Sequence, residues 1–552
     1  IDWSNRPNPF KIYTELPTIP LPSDLSIPSL NANLAINKSY PQSNQSKTLD
    51  NIFDSTTTTN TNTNANLVSK DSSITKTEAL TSKDLAEILF YSAGITREIR
   101  YYSGILYMRA ASATGALYPI EIYIVCKDIS PDLKAGVYHF NPAEFSLKNI
   151  RRGDYSHTLA SIAGNNKHLS KSPLTIIITS YAWRNAWKYQ DRSYRHWFWD
   201  SGVIVANLLA IAASKSLKAK LTMGFIDDEV NRLLSLEKGK EASIAMVAID
   251  TESIHNFDSG INNAEKEKFS DSTPPKSISL SREETQYPAI WKAYDCSKLF
   301  DENEVKKWVN AGLSQSGNFF SHREESAPQK KQTLKRQDLP KGHQHSNVLT
   351  IGETILRRGS TRKFARSPIS FHTLSSILYN STRGISIDFK KDTESLVEIY
   401  LIANNVEGLD NGAYFYNRNY DALDLLNAKV SRNLSGYLCL NQPLFSDASV
   451  VLFMMSNLDK ILKILGNRGY RAAQFEAGII AGKIYLSSYA HRIGASGSTF
   501  YDDAVTEFFS PHSKDKDTMI AVGIGVPSYK ARAGKILPVR FTKEQLVRNH
   551  SV

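Results

Sequence analysis

The chain contains an internal repeat. Five segments of its first half return in the second half in the same order, each 275 to 277 residues further along. The paired segments are EIY at Glu121 and Glu398, GVYHFN at Gly136 and GAYFYN at Gly412, DRSYRHWFWDSG at Asp191 and NRGYRAAQFEAG at Asn467, IDDEV at Ile226 and YDDAV at Tyr501, and IAMVAID at Ile244 and MIAVGIG at Met519. A constant register over five segments excludes chance similarity, so we interpret the chain as a tandem duplication.

Each copy mixes strand and helix patterns without regular strand–helix–strand crossovers, which predicts an α+β fold. Two similar copies most simply pack about a pseudo-two-fold axis, as identical subunits do in dimers. We therefore predict copy 1 at residues 1–252, a linker at 253–345 with a helical island near 290–311, and copy 2 at 346–552.

Composition describes a globular chain. Of the 552 residues 41% are hydrophobic and 22% are charged, which is enough apolar material for a sizeable core. Residues 42–66, 252–284 and 315–347 are polar and lack apolar periodicity, so we predict no regular structure there.

Cysteine usage and hydropathy favour a cytoplasmic protein. Cys126, Cys296 and Cys439 lie far apart, which argues against a disulfide framework and against a structural metal site. The longest apolar run, Gly202–Ala213, has 12 residues and is shorter than the roughly 18 of a membrane span. The N-terminus lacks the pattern of a signal peptide, so we expect no membrane association.

The formal net charge of +11 does not by itself indicate nucleic-acid binding. Lysine and arginine are spread along the chain and do not alternate with aromatic residues. We expect no nucleic-acid partner, because a basic surface fits an anionic cofactor or an acidic partner equally well.

The first difference between the copies is the segment RRGSTRKF, residues 357–364, just before a predicted helix of copy 2. Arg357, Arg358, Ser360 and Arg362 form a candidate phosphate site, because guanidinium groups bind phosphate in a bidentate manner and a helix N-terminus adds free N–H groups. At the corresponding place we assign VSKDSSIT, residues 68–75, to copy 1, which has no arginine there. A solvated basic helix start is the alternative interpretation.

The second difference is a loop of small residues in copy 1. In RAASATGALYPIEIY, Ser112, Ala113, Thr114 and Gly115 lead into a strand, and such a loop lets backbone groups approach a flat ligand. Copy 2 has FKKDTESLVEIY instead, with the charged residues Lys390, Lys391 and Asp392 where a ligand would pass. A plain tight turn is the alternative.

Two further pairs of residues occur in one copy only. Lys188 and Tyr189 precede the apolar helix of copy 1, where copy 2 has Ile464 and Leu465, and burial would tune such a pair for proton transfer. Lys530 and Arg532 follow the last strand of copy 2 and would complete an anion site. Solvated surface side chains remain the alternative for both pairs.

Taken together, these segments resemble the FMN-dependent nitroreductase superfamily, and within it the SagB/ThcOx-type azoline dehydrogenases of ribosomal peptide biosynthesis. RAASATGALYPIEIY is similar to that family's GALYPIE loop, and WKYQDRSYR followed by WFWDSG is similar to its WKY segment. RRGSTRKF is similar to the superfamily's flavin-phosphate motif. The resemblance extends over both copies.

The resemblance implies one composite FMN site between the copies. Its phosphate would contact Arg357, Arg358, Ser360, Arg362, Lys530 and Arg532 of copy 2, and its ring would contact Ser112, Ala113, Thr114 and Gly115 of copy 1. The ASGST segment of copy 2, with Ser496, Gly497 and Ser498, matches the family segment whose backbone reaches flavin N5. Lys188 and Tyr189 match the pair implicated in proton transfer.

The implied reaction is oxidation of a peptide thiazoline or oxazoline to the azole, with hydride transfer to the flavin and reoxidation by dioxygen. No leader-peptide-binding module is recognisable, so substrate delivery would need a partner such as a cyclodehydratase. Two alternatives stay open at this point. One is an NAD(P)H-dependent reductase of nitro or quinone compounds, and the other is a catalytically silent scaffold of a peptide-modifying complex.

Overall fold

The computed structural model describes residues 1–38, 79–101, 104–129, 132–251, 273–315, 334–340, 347–530, 532–536, 538, 541–542 and 545. The first copy consists, in chain order, of β1 (Thr18–Pro20), α1 (Ala32–Lys38), α2 (Ser82–Ala93), β2 (Ile95–Tyr101), β3 (Gly104–Arg109), β4 (Ile120–Cys126), β5 (Gly136–Asn141), β6 (Ser146–Arg152), α3 (Ser156–Ile162), α4 (Lys167–Lys171), β7 (Leu174–Tyr181), α5 (Ala182–Tyr189), α6 (Ser193–Ser214), β8 (Leu217–Thr222), α7 (Asp227–Leu233) and β9 (Glu241–Thr251).

Two helices, α8 (Pro288–Asp295) and α9 (Glu302–Ser314), precede the second copy. That copy consists of β10 (Arg336–Asp338), α10 (Ile351–Arg357), β11 (Ile369–Ser370), α11 (Phe371–Ser381), β12 (Glu398–Ala403), β13 (Val406–Glu407), β14 (Gly412–Asn417), β15 (Ala422–Asn427), α12 (Arg432–Leu438), α13 (Pro443–Asp447), β16 (Val450–Ser456), α14 (Leu458–Leu465), α15 (Arg468–Ala490), β17 (Gly494–Ser498), α16 (Asp502–Phe509) and β18 (Asp517–Gly525).

The two copies have the same sheet topology, which confirms the predicted α+β class and the duplication. The first sheet has the strand order β1-β6-β5-β4-β7-β9-β8, and the second has β10-β15-β14-β12-β16-β18-β17. Element by element these orders match, with β4 corresponding to β12 and β7 to β16. The central strands β7 and β16 are buried along their whole length, as their continuous apolar runs predict.

The long helices α6 and α15 pack against each other about a pseudo-two-fold axis. Residues 276 positions apart meet along this contact: the rings of Tyr194 and Tyr470 stack 6.2 Å apart. A methyl group on Gly202 would lie 2.5 Å from the carbonyl carbon of Gly478, and one on Gly482 would lie 2.6 Å from the Cβ of Ala206. Self-contact of equivalent residues along two helices requires the axis to run between them.

A second self-contact joins the starts of α1 and α10. The Ala32 N–H donates to the Leu349 carbonyl (3.1 Å), and the Ile351 N–H donates to the Leu30 carbonyl (2.8 Å). Ala32 and Ile351 lie 319 positions apart, as do Leu30 and Leu349, so the two hydrogen bonds are equivalent by symmetry and the structure matches α10 with α1. The sequence analysis instead matched the segment after α10 with residues 68–75, which lie outside the described residues.

The predicted linker contains more structure than the sequence indicated. The helical island near 290–311 is two helices, α8 and α9, and β10 pairs with β15 of the second sheet. Residues 273–284, predicted to be irregular, are ordered against the N-terminus, where the Ile278 N–H donates to the Ile12 carbonyl (2.9 Å). Residues 42–66 lie outside the described part of the chain, and the domain bounds stay a prediction.

One helical stretch of the described residues, Ala182–Ser214, is long and apolar enough to span a membrane by length and composition alone. Its most apolar part is 94% buried inside the protein. This stretch includes α5 and α6, so its apolar character serves the contact of α6 with α15 and with the first sheet.

Replacing Gly202 with alanine tests the close helix contact. An alanine in an ordinary helix interior is more favourable than a glycine by roughly 1 kcal/mol. At this position the added methyl meets backbone atoms of α15, so we expect a loss of about 1–3 kcal/mol in the free energy of unfolding. Chemical denaturation of both proteins measures the difference, and an unchanged or increased stability would contradict the axial contact.

Candidate functional site

The arginine motif lies at the C-terminal end of a helix. Arg357 is the last residue of α10, and α11 begins only at Phe371, so the prediction that the motif immediately precedes a helix is wrong. The N–H groups of a helix N-terminus are therefore not part of the candidate phosphate site. After Arg357 the motif is an irregular segment without a helix. This segment runs antiparallel to the chain after β18: the Ala365 N–H donates to Val526 (2.8 Å) and the Ser528 N–H donates to Lys363 (3.0 Å).

This pairing brings the two predicted groups of cations together. Arg357, Arg362, Lys530 and Arg532 are exposed, and Ser360 is half-buried. The Arg362 N–H donates to the hydroxyl of Tyr529 (3.0 Å), the residue before Lys530. The predicted phosphate residues of copy 2 therefore lie on adjacent stretches of chain.

Arg358 differs from these residues because it is buried and joins the two copies. Its Nε donates to the Ala110 carbonyl (2.9 Å), and its Nη2 donates to the Arg109 carbonyl (2.7 Å). Both acceptors belong to copy 1, two and three residues before Ser112. The arginine motif of one copy is thus hydrogen-bonded to the base of the small-residue loop of the other.

Arg97 of β2 is a further cation that the sequence analysis missed. Its Nη2 donates to the carbonyls of Leu356 (3.2 Å) and Arg357 (3.1 Å) at the end of α10, while its buried Nε has no partner in the structure. Burial lowers the pKa of Arg97, and the nearby positive charge of Arg358 lowers that pKa further. Arg97 lies in the hairpin of β2 and β3, between α2 and β4. No strand is described at the corresponding place of copy 2, between α11 and β12. This difference between the copies is a signal that could have identified Arg97.

The surroundings of Arg97 and Arg358 favour an anion. Burial also lowers the pKa of Arg358, and the groups that oppose this effect are the hydroxyls of Tyr118, Tyr485 and Tyr489. Among the described residues no carboxylate forms an ion pair with either guanidinium. A buried and a half-buried cation that lack an opposite charge form a site suited to a phosphate group.

The small-residue loop requires a glycine at Gly115. Its φ is +64°, in the left-handed region, and a methyl group there would lie 2.7 Å from the Tyr189 hydroxyl. Ser112, Ala113 and Thr114 are half-buried. Tyr189 of the predicted Lys–Tyr pair therefore lies directly beside the loop.

Asp200 of α6 holds this loop. The Thr114 N–H donates to both carboxylate oxygens of Asp200 (2.9 and 3.0 Å), and the Thr114 hydroxyl donates to Oδ1 (2.8 Å). The Asn185 side chain donates to Oδ2 (3.3 Å). Asp200 belongs to the quoted WFWDSG segment, but the sequence analysis assigned it no role.

Tyr189 is held by ring contacts and keeps its proton at neutral pH. Its ring meets that of the buried His196 edge to face at 4.7 Å, and the Lys188 ammonium lies 5.2 Å from the centre of the same ring. Burial raises the pKa of Tyr189, and the nearby Asp200 raises that pKa further. Lys188 is exposed. The phenol can therefore donate a hydrogen bond, while Lys188 is free to approach a bound molecule.

The ASGST segment of copy 2 forms most of β17 and borders the arginine motif. The Thr361 N–H donates to the Ala495 carbonyl (2.9 Å). Ser496 is buried, Gly497 is exposed, and the half-buried Ser498 accepts a hydrogen bond from Gln442 (2.8 Å). The Gly497 N–H donates to the Tyr485 hydroxyl (2.6 Å). The exposed backbone at Gly497 is thus the part of this segment that a ligand can reach.

The equivalent place on the other side of the pseudo-two-fold axis is filled by protein. Trp308 of α9 donates from its indole N–H to the carbonyl of Leu465 (2.9 Å), the counterpart of Tyr189. The same indole ring lies 4.9 Å from the ring of Phe389, the counterpart of Ser112. Helix α9 therefore packs against the counterparts of the small-residue loop and of the Lys–Tyr pair.

Two lysines in this second place differ in burial. Lys390 is buried but has partners, since its ammonium donates to the Glu394 carbonyl (2.8 Å) and lies 3.7 Å from Glu476. Lys391 is exposed. Glu476, the counterpart of Asp200, therefore compensates the charge of Lys390.

The residues of the first site fit an FMN molecule. Arg358 is buried and Arg97 is half-buried, the Nε of Arg97 has no hydrogen-bond partner, and no described carboxylate forms an ion pair with either side chain. Gly115 and Gly497 expose backbone on opposite sides, one from each copy. The phosphate of FMN would thus lie beside the two arginines, and its ring would lie beside the exposed backbone of the two glycines.

A family comparison agrees with the duplication. The model of the nitroreductase family matches residues 75–249 and again residues 355–526. The chain is 28% identical to the nitroreductase-like protein MJ1384 of Methanocaldococcus jannaschii over 159 residues, which is 29% of this chain and 76% of that protein.

Two further relatives are processing proteins. The trifolitoxin-processing protein TfxB of Rhizobium leguminosarum bv. trifolii is 28% identical over 174 residues, 31% of this chain. The microcin B17-processing protein McbC of Escherichia coli is 26% identical over 129 residues, 22% of this chain. In each case the match spans 47% of the relative's own length.

Among solved structures, a nitroreductase-like protein from Anabaena variabilis has the same two-copy fold. The similarity covers 96% of this chain and 95% of that chain, with a TM-score of 0.67 and 21% sequence identity. At this identity the likeness concerns the fold alone.

Replacing Arg362 with alanine tests the phosphate site. Arg362 is exposed, so its loss should leave the fold intact, and we expect FMN affinity to fall about tenfold because one charge-assisted contact is lost. Lys363→Ala removes the same charge from the next residue and serves as the matched control. Fluorescence titration of FMN measures both, and equal affinities of the two variants would contradict the assignment.

Proposed function

The chain belongs to the nitroreductase family, and from that premise we propose that it is an FMN-dependent oxidoreductase with one composite cofactor site. Its substrate would be a thiazoline or oxazoline ring in a peptide, oxidised to the azole with dioxygen as the final electron acceptor. The proposal depends most on one observation, the hydrogen bonds of Arg358 to Arg109 and Ala110, because they join the phosphate motif of copy 2 to the ring loop of copy 1.

The residues that would hold FMN come from both copies. Arg97 and Arg358 would neutralise its phosphate, and the exposed cations of the arginine motif and of the segment after β18 would add to the cationic end. The loop from Ser112 to Gly115 and the backbone at Gly497 would border the ring. When bound, the flavin would supply the chemistry that these side chains lack, acceptance of a hydride.

A peptide azoline is supported by two relatives and by the Lys–Tyr pair. TfxB and McbC are named as processing proteins for trifolitoxin and microcin B17, and we take their similarity to this chain as support for a peptide substrate. Lys188 and Tyr189 occur only in the copy that supplies the ring loop. A flavin reductase of nitro or quinone compounds has no need for such a pair.

The reaction removes two hydrogens from the ring, the α-proton and a hydride from the β-carbon. Because Tyr189 keeps its proton at neutral pH, it would donate a hydrogen bond to the substrate and would not be the first base. Lys188 is exposed beside it and, in its neutral form, would accept the α-proton. The contact of Tyr189 with Gly115 would keep this pair against the cofactor loop.

The second place would bind no cofactor. Trp308 and Phe389 occupy it, and Lys390 pairs with Glu476 there. A cyclodehydratase partner that makes the azoline and delivers the peptide is part of the proposal, because an azoline must be formed by cyclodehydration before it can be oxidised.

Replacing Tyr189 with phenylalanine tests the reaction. With an azoline peptide mixed anaerobically with the FMN-loaded protein, we expect the flavin absorbance to bleach about 100-fold more slowly in the variant, the usual effect of removing a hydrogen-bond donor that stabilises charge developing on the substrate. FMN content should stay unchanged. Tyr420→Phe, at an exposed tyrosine in the turn between β14 and β15, is the control.

The same bleaching assay distinguishes the proposed function from its two alternatives. Bleaching by NADH or NADPH without an azoline would indicate the nitro- or quinone-reductase function. A purified protein that retains no flavin after reconstitution would indicate the silent scaffold. Normal bleaching by the azoline in the Tyr189 variant would contradict the role of the phenol.

A further inference from the structure

Asp200 is a buried carboxyl group without a cationic partner. It is 4% exposed, and its hydrogen bonds come from the neutral donors Thr114 and Asn185. No described lysine or arginine forms an ion pair with it. Such an arrangement is costly, because a buried carboxylate is normally compensated by a positive charge.

The second copy provides an internal comparison. Glu476 occupies the equivalent position in α15, accepts the Leu396 N–H (2.9 Å) and lies beside the Lys390 ammonium (3.7 Å). The same fold is therefore compatible with an ion-paired carboxyl at this position. The unpaired form in copy 1 is not a requirement of the fold, and it occurs only where the small-residue loop is present.

Asp200 fixes the loop at its centre. Arg358 binds the loop's base through the Ala110 carbonyl, and Asp200 binds Thr114 through both its N–H and its hydroxyl. The next residue, Gly115, is the one that contacts the Tyr189 hydroxyl. The position of the phenol relative to the loop therefore depends on the Asp200–Thr114 hydrogen bonds.

We infer that Asp200 is the positioning residue of the site: it clamps Thr114 so that the cofactor loop and Tyr189 keep their mutual distance. The inference rests on the proposed function only in taking the loop as the place of the flavin ring. Asp200 itself touches neither substrate nor cofactor in this account, and it acts through Thr114.

The clamp is also linked to pH. Burial raises the pKa of Asp200 from its ordinary value near 3.8 to about 7, and the hydrogen bonds from Thr114 and Asn185 lower it only in part. The titratable groups that face the carboxyl are Tyr118 and Tyr189, and Arg109 lines a small pocket together with Asp200 and Tyr118.

The sign of this dependence follows from proton linkage. When the loop opens, water reaches Asp200 and the carboxyl regains its ordinary pKa. Between about pH 4 and pH 7 the closed loop holds a proton that the open loop releases, so opening becomes easier as the pH rises through this range. Above it both forms are ionised and the dependence ends.

Amide hydrogen exchange of the peptide 110–117 in the flavin-free full chain tests the clamp. For Asp200→Ala we expect exchange at least about tenfold faster than in the natural protein, because three hydrogen bonds to Thr114 are lost. Asp200→Asn keeps an acceptor oxygen and should restore most of the protection. It should also remove the pH dependence, once exchange is corrected for its intrinsic pH effect.

Asp388→Ala is the matched control, because Asp388 accepts the N–H groups of Met223 (3.0 Å) and Gly224 (2.8 Å) away from this loop. This variant should leave the exchange of residues 110–117 unchanged. Equal exchange of these residues in Asp200→Ala and in the natural protein would overturn the inference, as would a pH dependence that persists in Asp200→Asn.

Activity gives a second readout on the loaded protein. With FMN bound, Asp200→Ala should reduce the rate of flavin bleaching by an azoline about tenfold, because a misplaced loop and Tyr189 would disturb the geometry of the reacting atoms. The azoline concentration needed for half-saturation should change little. Asp200→Asn should restore this rate. If the natural protein binds no FMN, the proposed function fails while the exchange experiment still decides the clamp.

Discussion

The backbone contact between α6 and α15 determines the rest of this structure. Gly202 and Gly478 face each other across the pseudo-two-fold axis with no room for a side chain. Each helix is buried almost entirely and carries its own sheet, so the distance between the helices sets the distance between the copies. Arg358 can reach the carbonyl of Ala110 in the other copy only because that distance is short.

Duplication within one chain allows the two equivalent places to diverge. In a dimer of identical subunits every substitution appears twice, whereas here each place can change alone. One place has kept Arg358, Gly115 and Tyr189 in mutual proximity. The other has gained Trp308 from α9 as a filling side chain and an ion pair between Lys390 and Glu476, both of which stabilise the fold without a ligand.

Much of this organisation could be predicted from the sequence. The mixed strand and helix patterns predicted the α+β class, the repeat predicted the matching copies, and the differences between copies indicated the segments around Arg358, Gly115 and Tyr189. These segments were recognisable because their motifs are short and continuous. Arg97 and Asp200 were not identified, since their roles depend on hydrogen bonds to the carbonyls of Leu356 and Arg357 and to the amide of Thr114. The expectation that the arginine motif lies at a helix N-terminus was wrong, because the motif begins at the last residue of α10. The counterpart of α10 is α1, which lies 319 positions earlier and so outside the offset of 275 to 277 that the repeat showed.

The number of FMN molecules per chain tests the central claim most directly. The account predicts that the chain, reconstituted with excess FMN and freed of unbound flavin, releases close to one FMN per polypeptide on denaturation. A single site follows from the contact of the Arg358 segment of copy 2 with the Gly115 loop of copy 1, and from the filling of the other place by Trp308. A ratio close to two would contradict the account, because it would require a second flavin where α9 now packs.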